Sequence, residues 1–511
     1  MYDVAIVGYG PTGMLAAILL GRAGHRVAVL ERHKTLYNLP RVGIVHDDVL
    51  RMFQEIGCLE RIRPATFFLP LYELANKGNV LLSNQVADNA THGHPEMTSI
   101  YQPAFEAELD VIARGIANVD VLQGETVVGL SQDADRVTVA CESESGRRSI
   151  EARILIGADG GNSFVRQALG IEYEDLGFDQ NWLVIDARAK RNTRPELPLL
   201  RQFCEPEQPG MTMQMGPDHR RWSFMIFPDE SPAEAVKPEN VWRRLKRPEG
   251  AEPDEFELIR VVAYKFRSLM ARSWQKGRIF LAGDAAHQMP PFLAQGMCSG
   301  FRDAHNIAWK LDLVFKGLAK ADLLETYEIE REPNARATII ESMKVGQNVN
   351  ERDPEKVRAR DAQLTALNEA RRNGAAPAQL IAFRVPGFSD GFIAAGRAGA
   401  GDAFPQSRVR DIARVGLFDD IAGRGFQIVS RAGDPLSALS PVDRQFWTKI
   451  GGGAAILGAP GLIDESGDYT RLMDELDCDV LVKRPDNYIY GTCARLADLP
   501  ALIGGLRDKL G

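Results

Sequence analysis

The first 31 residues constrain the fold of this chain more than any other stretch. The segment "DVAIVGYGPTGMLAAILLGRAGHRVAVLE" contains an apolar strand, a glycine turn and an apolar helix from about Pro11 to Ala23. A break at Gly24 follows, and a second apolar strand ends at Glu31. The order strand, glycine turn, helix, strand predicts an α/β protein.

The turn contains three glycines spaced as G-x-G-x-x-G, namely Gly8, Gly10 and Gly13. The first allows a tight turn, the second lets a pyrophosphate approach the backbone, and the third lets the helix pack closely on the strand. Pro11 and Thr12 open a helix whose free N–H groups would face the phosphates. Glu31 is placed to accept hydrogen bonds from ribose hydroxyls. We therefore predict a Rossmann-like domain that binds a dinucleotide, either FAD or NAD.

Length and charge limit the remaining function classes. The chain has 511 residues, which predicts two or three domains. Acidic residues exceed basic ones by 69 to 61, and no basic block suggests nucleic acid as a partner. The N-terminus lacks a signal-peptide pattern, and no apolar stretch approaches a membrane span of about 20 residues. We expect a cytoplasmic protein without membrane or nucleic-acid partners.

The cysteines are scattered along the chain, at Cys58, Cys141, Cys204, Cys298, Cys478 and Cys493. They form no CxxC motif and no Cys/His cluster, so neither a disulfide framework nor a metal site is indicated. We interpret them as reduced and mostly buried thiols.

Two later segments share the property of an apolar strand that ends at an aspartate. "ARILIGADGGNSFVRQALGI" runs into Asp159, and "RIFLAGDAAHQMPPFLAQGMCSGFRDAHNIAWKL" runs into Gly283 and Asp284. With the N-terminal glycine turn, these motifs resemble the single-component FAD-dependent aromatic hydroxylases, the class that includes para-hydroxybenzoate hydroxylase. The resemblance covers roughly residues 1–345 and favours FAD over NAD as the bound dinucleotide.

A closer resemblance is to 3-(3-hydroxyphenyl)propionate hydroxylases and related phenol hydroxylases. It is carried by segments such as "LPRVGIVHDDVLRMFQEIG", "IYQPAFEAELD", "GFRDAHNIAWKLDLV" and "LLETYEIERE". The resemblance implies that NADH or NADPH reduces FAD, that O2 adds to the reduced flavin, and that a flavin C4a-hydroperoxide hydroxylates a phenolic ring. The sequence leaves open the ring substituents, the position of oxygenation and the choice between NADH and NADPH.

The resemblance also implies which residues contact the cofactor. Beyond the glycine turn these are Glu31, Arg32, Arg41, Gln102, Asp159, Gly283, Asp284, Pro291, Gly296 and Met297. Asp284 would hold the ribityl chain, and Asp159 would serve both the flavin and the entry of the nicotinamide nucleotide. A helix that starts near Gly300 would point its N-terminus at the flavin pyrimidine and stabilise the anionic reduced flavin.

Catalytic and substrate-binding candidates follow from the same resemblance. Pro290 and Pro291 would wall the reacting edge of the flavin, and His46 is the candidate base that removes the phenol proton. His287 is interpreted as orienting its loop. The candidate substrate contacts are aromatic, namely Trp222, Phe224, Tyr264 and Phe292, with Trp182 and Met225 as further candidates. The alternative for the residues of the predicted sheet is ordinary sheet core.

Two positions depart from the family pattern. Ala294-Gln295-Gly296 stands where Gly-Gln-Gly is common, and Cys298 stands where Asn is common. Cys298 is interpreted as a small filler, and a changed hydrogen bond at the flavin is the alternative.

Alternating apolar segments predict an inserted antiparallel substrate sheet. We predict a discontinuous FAD-binding domain (1–70, 101–171 and 271–345), a substrate domain (71–100 and 172–270), a helical connector (346–395) and a C-terminal domain (396–511). The last ends in "CDVLVKRPDNYIYG", which resembles the thioredoxin-like tail of phenol hydroxylases without its CxxC. A docking or dimer-stabilising role, and hence a homodimer, is the expectation.

Other functions remain open on the same scaffold. A Baeyer-Villiger or ring-opening oxygenase shares the flavin motifs, so only the product would distinguish it. A non-catalytic flavin-binding redox protein would bind FAD without substrate-stimulated oxidation of NAD(P)H.

Overall fold

The structure is a computed structural model of the chain, and it describes residues 1–190, 196–375 and 384–511. The predicted substrate domain and helical connector therefore each include a short segment, 191–195 and 376–383, that lies outside the described residues.

The described strands in chain order are β1 Tyr2–Val7, β2 Val27–Glu31, β3 Ile44–His46, β4 Thr66–Phe68, β5 Leu71–Asn76, β6 Asn79–Gln85, β7 Met97–Ile100, β8 Val119–Gln123, β9 Thr126–Gln132, β10 Val137–Ser143, β11 Gly146–Gly157, β12 Tyr173–Ala189, β13 Leu200–Phe203, β14 Gly210–Met215, β15 His219–Ile226, β16 Phe256–Ala271, β17 Gln275–Lys276, β18 Ile279–Leu281, β19 His287–Gln288, β20 Arg408–Arg410, β21 Val415–Leu417, β22 Gln427–Ser430, β23 Gly453–Ile456, β24 Ile463–Asp464, β25 Val480–Lys483 and β26 Ile489–Cys493.

The described helices are α1 Pro11–Arg22, α2 Asp47–Glu55, α3 Leu59–Ile62, α4 Gln102–Arg114, α5 Phe164–Ala168, α6 Pro232–Ala235, α7 Pro238–Glu249, α8 Gly296–Phe315, α9 Thr326–Val349, α10 Pro354–Arg372, α11 Phe418–Ile421, α12 Pro435–Ala438, α13 Pro441–Lys449, α14 Asp468–Glu475 and α15 Leu499–Leu510.

The first sheet has a parallel centre in the order β18, β11, β1, β2, β8. The strands β1 and β2 are short and apolar, as expected where both faces of a sheet are covered, and Val4, Ala5 and Ile6 are fully buried. The chain leaves this sheet and returns to it twice, and because β18, β11 and β1 are parallel neighbours, their carboxyl ends lie side by side. The glycine turn, Asp159 and Asp284 each follow one of these ends.

The second sheet has the order β19, β16, β12, β15, β14, β13, β5, β6. Its pairs are antiparallel except β13 with β5, which is parallel and joins strands from distant parts of the chain. The segment predicted over 71–100 contributes β5 and β6. Its last strand, β7, pairs instead with β3 and β4 in a separate small sheet.

The C-terminal part contains a mixed sheet in the order β23, β22, β25, β26. β22 pairs with β23 in parallel and with β25 in antiparallel orientation, and buried residues of α15 such as Leu502 and Ile503 pack against one face. The same apolar cluster includes Trp309 and Leu313 of α8, so this domain is packed directly on the long helix that begins at the predicted flavin site.

The predicted α/β fold class is confirmed in this arrangement, whereas the domain boundaries stay predictions. Among the described helices, none has the length and apolar character needed to cross a membrane.

Candidate active site

The glycine turn forms a cradle that side chains would fill. Gly8 has a φ of +104°, and a Cβ on it would lie 2.3 Å from the carbonyl oxygen of Ala158. A Cβ on Gly13 would lie 2.1 Å from the carbonyl oxygen of Gly8. Gly10, in contrast, faces open space, and it precedes α1 without a side-chain cap. The turn therefore leaves free N–H groups at an uncrowded helix N-terminus, as a pyrophosphate site requires.

Glu31 lies at the end of β2 and is held by the backbone. Its Oε2 accepts a hydrogen bond from the Tyr9 N–H at 2.9 Å, and its Oε1 accepts one from the His33 N–H at 2.9 Å. These contacts fix the carboxylate beside the glycine turn. Arg32 is exposed, and its Nε donates to His33 Nε2 at 3.3 Å.

Asp159 follows β11 and touches the glycine turn, since its Cα would lie 2.8 Å from a Cβ on Gly8. Its Oδ2 accepts a hydrogen bond from the Val165 N–H at 3.1 Å. Its Oδ1 is buried and has no partner among the described residues. Burial raises the pKa of this carboxyl group. An unpartnered acceptor at this point fits a bound hydroxyl or amide donor.

Asp284 presents its carboxylate to a cleft. Gly283 and Ala285 are buried, but the Asp284 side chain is accessible, and no described residue hydrogen-bonds its carboxylate. Removal from bulk water within the cleft raises the pKa of Asp284. Its neighbour Gly283 is fixed, because its N–H donates to Asp303 Oδ2 at 2.9 Å. The carboxylate is thus positioned and left free for a ligand.

Thr12 of the N-terminal glycine turn packs against the Gly283-Asp284 turn. Its Oγ1 lies 2.9 Å from the position of a Cβ on Gly283 and 2.3 Å from that of a Cβ on Gly300. Larger residues at these glycines would collide with Thr12. The N-terminal turn and the Gly283-Asp284 turn therefore converge, as the sequence predicts.

The loop after β19 walls the cleft. The Pro290 carbonyl accepts a hydrogen bond from Ser342 Oγ of α9 at 2.7 Å. The Phe292 ring packs edge-on against Trp182 of β12, with ring centroids 5.5 Å apart. Pro291 is exposed, and Ala294 adopts a left-handed φ of +55°, a conformation that favours glycine.

The helix after this loop begins earlier than the sequence indicates. α8 starts at Gly296, not near Gly300, so Gly296 and Met297 form its first turn. The sequence does not predict this start, because Gly296 and the preceding prolines have low helix propensity. No side-chain hydrogen bond caps this end. Its free N–H groups give the site a partial positive charge.

Cys298 lies in the first turns of α8 and is buried. Its Sγ lies 3.7 Å from the Ala294 carbonyl oxygen, and burial raises its pKa to about 12. This environment fits a small inert filler.

The segment that carries Arg41 is held from two sides. The buried Gln102 accepts hydrogen bonds from the N–H groups of Arg41 at 2.9 Å and Val42 at 2.6 Å. Arg221 of β15 donates to the Arg41 carbonyl at 2.6 Å, and Arg260 of β16 donates to the Pro40 carbonyl.

Arg221 and Arg260 hold the Pro40-Arg41 segment, and together with the buried carboxylate of Asp186 we call them the clamp residues. Asp186 of β12 accepts both a 2.6 Å and a 3.0 Å hydrogen bond from Arg221. Sequence reasoning missed all three clamp residues, Asp186, Arg221 and Arg260. The one sequence feature that could have indicated them is a charged residue inside an otherwise apolar strand.

The two candidate histidines differ in position. His46 ends β3, and its Nε2 lies 3.1 Å from the Leu293 carbonyl, within the loop that walls the cleft. Burial lowers the pKa of His46, so its imidazole is neutral at pH 7. His287 is fully buried, and its Nε2 lies 2.7 Å from Asp303 Oδ2. Asp303 thus holds both His287 and Gly283, which fits an orienting role for His287.

Two of the predicted substrate contacts lie on the wrong face of the sheet. Trp222 and Phe224 point into a core between the second sheet and α7, and Trp222 Nε1 donates to Glu249 at 2.7 Å. Because side chains alternate along a strand, Arg221, Ser223 and Met225 occupy the opposite face. The prediction that Trp222 and Phe224 contact the substrate is therefore wrong.

The other aromatic candidates face the cleft. Trp182 pairs in register with Tyr264 and contacts Phe292. Tyr264 has half its surface accessible; partial burial raises its pKa, and the nearby charge of Asp284 adds to this effect. Trp182, Tyr264 and Phe292 are thus brought together.

Comparison with known proteins agrees with this geometry. A family model described as FAD binding domain matches residues 1–342, and one described as HcaD C-terminal domain matches residues 401–509. A probable NADH-specific resorcinol 4-hydroxylase from Rhodococcus jostii is 40% identical over 98% of this chain and 93% of the relative. A 3-(3-hydroxy-phenyl)propionate/3-hydroxycinnamic acid hydroxylase from Mycolicibacterium smegmatis is 31% identical over 96% of this chain and 90% of the relative.

Solved structures share the fold over almost the whole length. The flavin-dependent monooxygenase PieE, in complex with FAD and substrate, has a TM-score of 0.81 at 20% identity and covers 99% of both chains. Aklavinone-11 hydroxylase with FAD and aklavinone has a TM-score of 0.81 at 22% identity, also over 99% of both chains.

Proposed function

The chain belongs to the FAD-dependent aromatic hydroxylases, and we propose that it hydroxylates an uncharged phenol or dihydroxybenzene with NADH as electron donor. The single observation that carries the site assignment is the convergence of Glu31, Asp159 and Asp284 on one cleft at the carboxyl ends of β2, β11 and β18. NADH is favoured by the name of the Rhodococcus jostii relative, which covers nearly the whole chain.

The residues of the cleft fit FAD. The glycine turn has room for a pyrophosphate at Gly10, Asp159 has an unpartnered buried oxygen, and Asp284 has a free carboxylate. We assign Glu31 to the adenosine ribose and Asp284 to the ribityl hydroxyls, with Arg41 and Gln102 as further contacts. Bound there, FAD would accept a hydride from the nicotinamide and activate O2 for transfer of one oxygen atom.

The first turn of α8 would act on charge at the flavin ring. Gly296 and Met297 offer free N–H groups at the positive end of a 20-residue helix. A positive dipole end of this kind favours a negative charge beside it. We assign this helix end to the stabilisation of the anionic reduced ring.

His46 is assigned as the group that accepts the phenol proton. Its imidazole is neutral at pH 7, because burial lowers its pKa, and it lies against Leu293 of the wall. A phenolate ring is more electron-rich than the phenol, which favours attack by an electrophilic oxygen. Pro290, Pro291 and Phe292 are assigned to exclude water from the reacting edge.

The alternatives predict different products. A Baeyer-Villiger or ring-opening enzyme would insert oxygen into a bond, and a redox protein would bind FAD without turnover. The relatives described above carry names of hydroxylases, which supports ring hydroxylation. A homodimer and a cytoplasmic location stay predictions.

The direct test is a screen of phenols for stimulation of NADH oxidation by the purified protein. Mass analysis should find a product that has gained one oxygen atom and kept its ring. NADH oxidation that no phenol stimulates would contradict the proposal, and a ring-opened product would favour the alternative.

A further inference from the structure

The face of the second sheet opposite to Trp222 and Phe224 is its inner face, towards the cleft. It carries a row of side chains between the Pro40-Arg41 segment and the wall loop after β19. Gln202 of β13 pairs in register with Met211, Met211 with Ser223, and Ser223 with Val184 of β12. Phe203, next to Gln202, packs in the outer core with Phe224. Alternation therefore turns Gln202 and the rest of this row inward.

The two neighbouring rows of the inner face contain Arg221 and Trp182, and their contacts show what lies opposite this part of the sheet. On one side, Arg221 reaches the Pro40 and Arg41 carbonyls. On the other side, Trp182 contacts Phe292 of the wall loop. The Gln202 row thus begins opposite the gap between these two loops, at Val184 and Ser223, and extends across β14 to Gln202 on β13. The ring to be hydroxylated would lie along this row if the proposed function holds. Met211 also packs against the apolar cluster that includes Ala294.

Gln202 is a polar side chain of this row whose amide oxygen lacks a hydrogen-bond donor. Its side chain is 95% buried, since 5% of its surface is accessible, and its Oε1 has no hydrogen-bond partner among the described residues. A buried amide oxygen without a partner is costly unless a ligand supplies a donor. A ring hydroxyl is such a donor.

The charges of the inner face argue against an acidic substituent. Arg221 is occupied by Asp186 and two carbonyls, and Arg260 donates to the Pro40 carbonyl and lies 3.9 Å from Asp186. The Gln202 row itself contains only uncharged side chains. A carboxylate placed there would be desolvated without a cation to compensate it.

We propose that Gln202 binds a second, uncharged hydroxyl group on the substrate ring, and so selects dihydroxybenzenes over phenols that carry a carboxylate. This inference rests on the proposed hydroxylase function and names its substrate class. It makes Gln202 a specificity-determining residue that contacts the ring substituent remote from the base.

The test compares two substrates on one preparation, so that the amount of folded, FAD-loaded enzyme cancels. Gln202→Met keeps the side-chain volume and removes the amide. We expect kcat/KM for resorcinol, relative to that for phenol, to fall about tenfold, the size of one lost hydrogen bond to a buried group. The Kd for resorcinol, measured by perturbation of flavin absorbance without NADH, should rise by a similar factor.

Gln208→Met is the matched control. Gln208 is also a buried glutamine of this part of the chain, but it lies outside the row, and its Nε2 donates to the Arg244 carbonyl at 3.3 Å. This variant should keep the resorcinol to phenol ratio of the unmodified enzyme. An unchanged ratio in Gln202→Met, or an equal fall in Gln208→Met, would overturn the assignment of Gln202.

The unmodified enzyme separates the two proposals. It should prefer resorcinol to 3-(3-hydroxyphenyl)propionate, and the reverse preference would overturn the uncharged substrate class. Failure of every phenol to stimulate NADH oxidation would overturn the proposed function, and this inference with it. Stimulation by resorcinol together with an unchanged ratio in Gln202→Met would overturn the inference alone.

Discussion

Arg484 of the C-terminal domain donates to both carboxylate oxygens of Glu330 on α9, at 2.8 and 2.7 Å, and both side chains are fully buried. Glu330 also accepts hydrogen bonds from Asn306 and Lys310 of α8 at 2.7 and 2.8 Å. The helix that begins at the flavin site is therefore joined to the C-terminal domain by buried charges. This supports a structural role for that domain.

Arg484→Met should strongly destabilise the protein. The change would leave two buried carboxylates, Glu330 and Asp486, without their main cation, which typically costs about 3–5 kcal/mol. Thermal unfolding followed by circular dichroism would measure the loss. Arg495→Met is the control, because Arg495 pairs with Asp498 at an exposed position and its loss should cost less than about 1 kcal/mol. Equal stability of the two variants would show that the buried pair does not join the domains.

Asp284→Ala should weaken FAD binding, because the ribityl hydroxyls would lose a charged acceptor worth about 1.5–3 kcal/mol. This corresponds to a rise in Kd of roughly 10- to 150-fold, measurable by flavin fluorescence titration. Glu31→Ala should weaken binding in the same way at the adenosine ribose. Asp322→Ala, at an exposed position remote from the cleft, is the control. Full flavin occupancy of both cleft variants after dialysis would refute the placement of the cofactor.

The acidic limb of the pH profile should depend on His46. Because burial lowers its pKa, the imidazole stays neutral and able to accept a proton at pH values below 6.5, its ordinary pKa. We expect kcat for a phenol to fall only at a pH below 6.5, and His46→Gln to lower kcat and abolish that limb. The retention of an unchanged limb in the glutamine variant would assign proton removal to another group.

The lowered pKa of His46 also makes the stability of the fold depend on pH. The unfolded chain binds a proton at His46 more readily than the folded chain does. The contribution of His46 to stability is therefore complete above pH 6.5 and is lost as the pH falls from 6.5 towards the lower folded value.

The C-terminal cysteines should be redox-silent. Cys478 and Cys493 are buried in different apolar clusters, and burial raises the pKa of each to about 11. A thiol in this state is a poor nucleophile. Replacing both by Ala should leave substrate-stimulated NADH oxidation nearly unchanged, and a thiol reagent should label neither residue before unfolding. A large loss of rate in the double variant would indicate redox work.

Local signals made much of the site predictable from the sequence. The glycine turn, Asp159 and Asp284 each follow an apolar strand, and parallel strands bring such ends together. Strand faces are harder to predict, because aromatic residues at alternate positions do not say which face of the sheet lies towards the cleft, and the prediction for Trp222 and Phe224 takes the wrong face. The pairs Arg484–Glu330 and Arg221–Asp186 join distant parts of the chain, so no local sequence pattern predicts them.

The loop from Pro290 to Phe292 walls the cleft and is anchored on both sides of Pro291. Pro290 is fixed by its hydrogen bond from Ser342, and Phe292 by its contact with Trp182, so Pro291 lies between two anchored residues. A proline restricts φ and offers no N–H to water, whereas glycine would loosen the segment. Water that reaches the reacting edge would divert activated oxygen to hydrogen peroxide.

Pro291→Gly should therefore damage oxygen transfer more than NADH oxidation. We expect phenol-stimulated NADH oxidation to persist while a larger share of the NADH consumed ends as hydrogen peroxide, measured with a peroxidase-coupled assay beside product analysis. Pro64→Gly is the matched control, because Pro64 is also an exposed proline in a short 3-10 turn but lies away from the cleft, and its peroxide share should not rise. If NADH oxidation and hydroxylation fell in parallel in Pro291→Gly, with no rise in the peroxide share, the loop would serve binding or folding and not the exclusion of water.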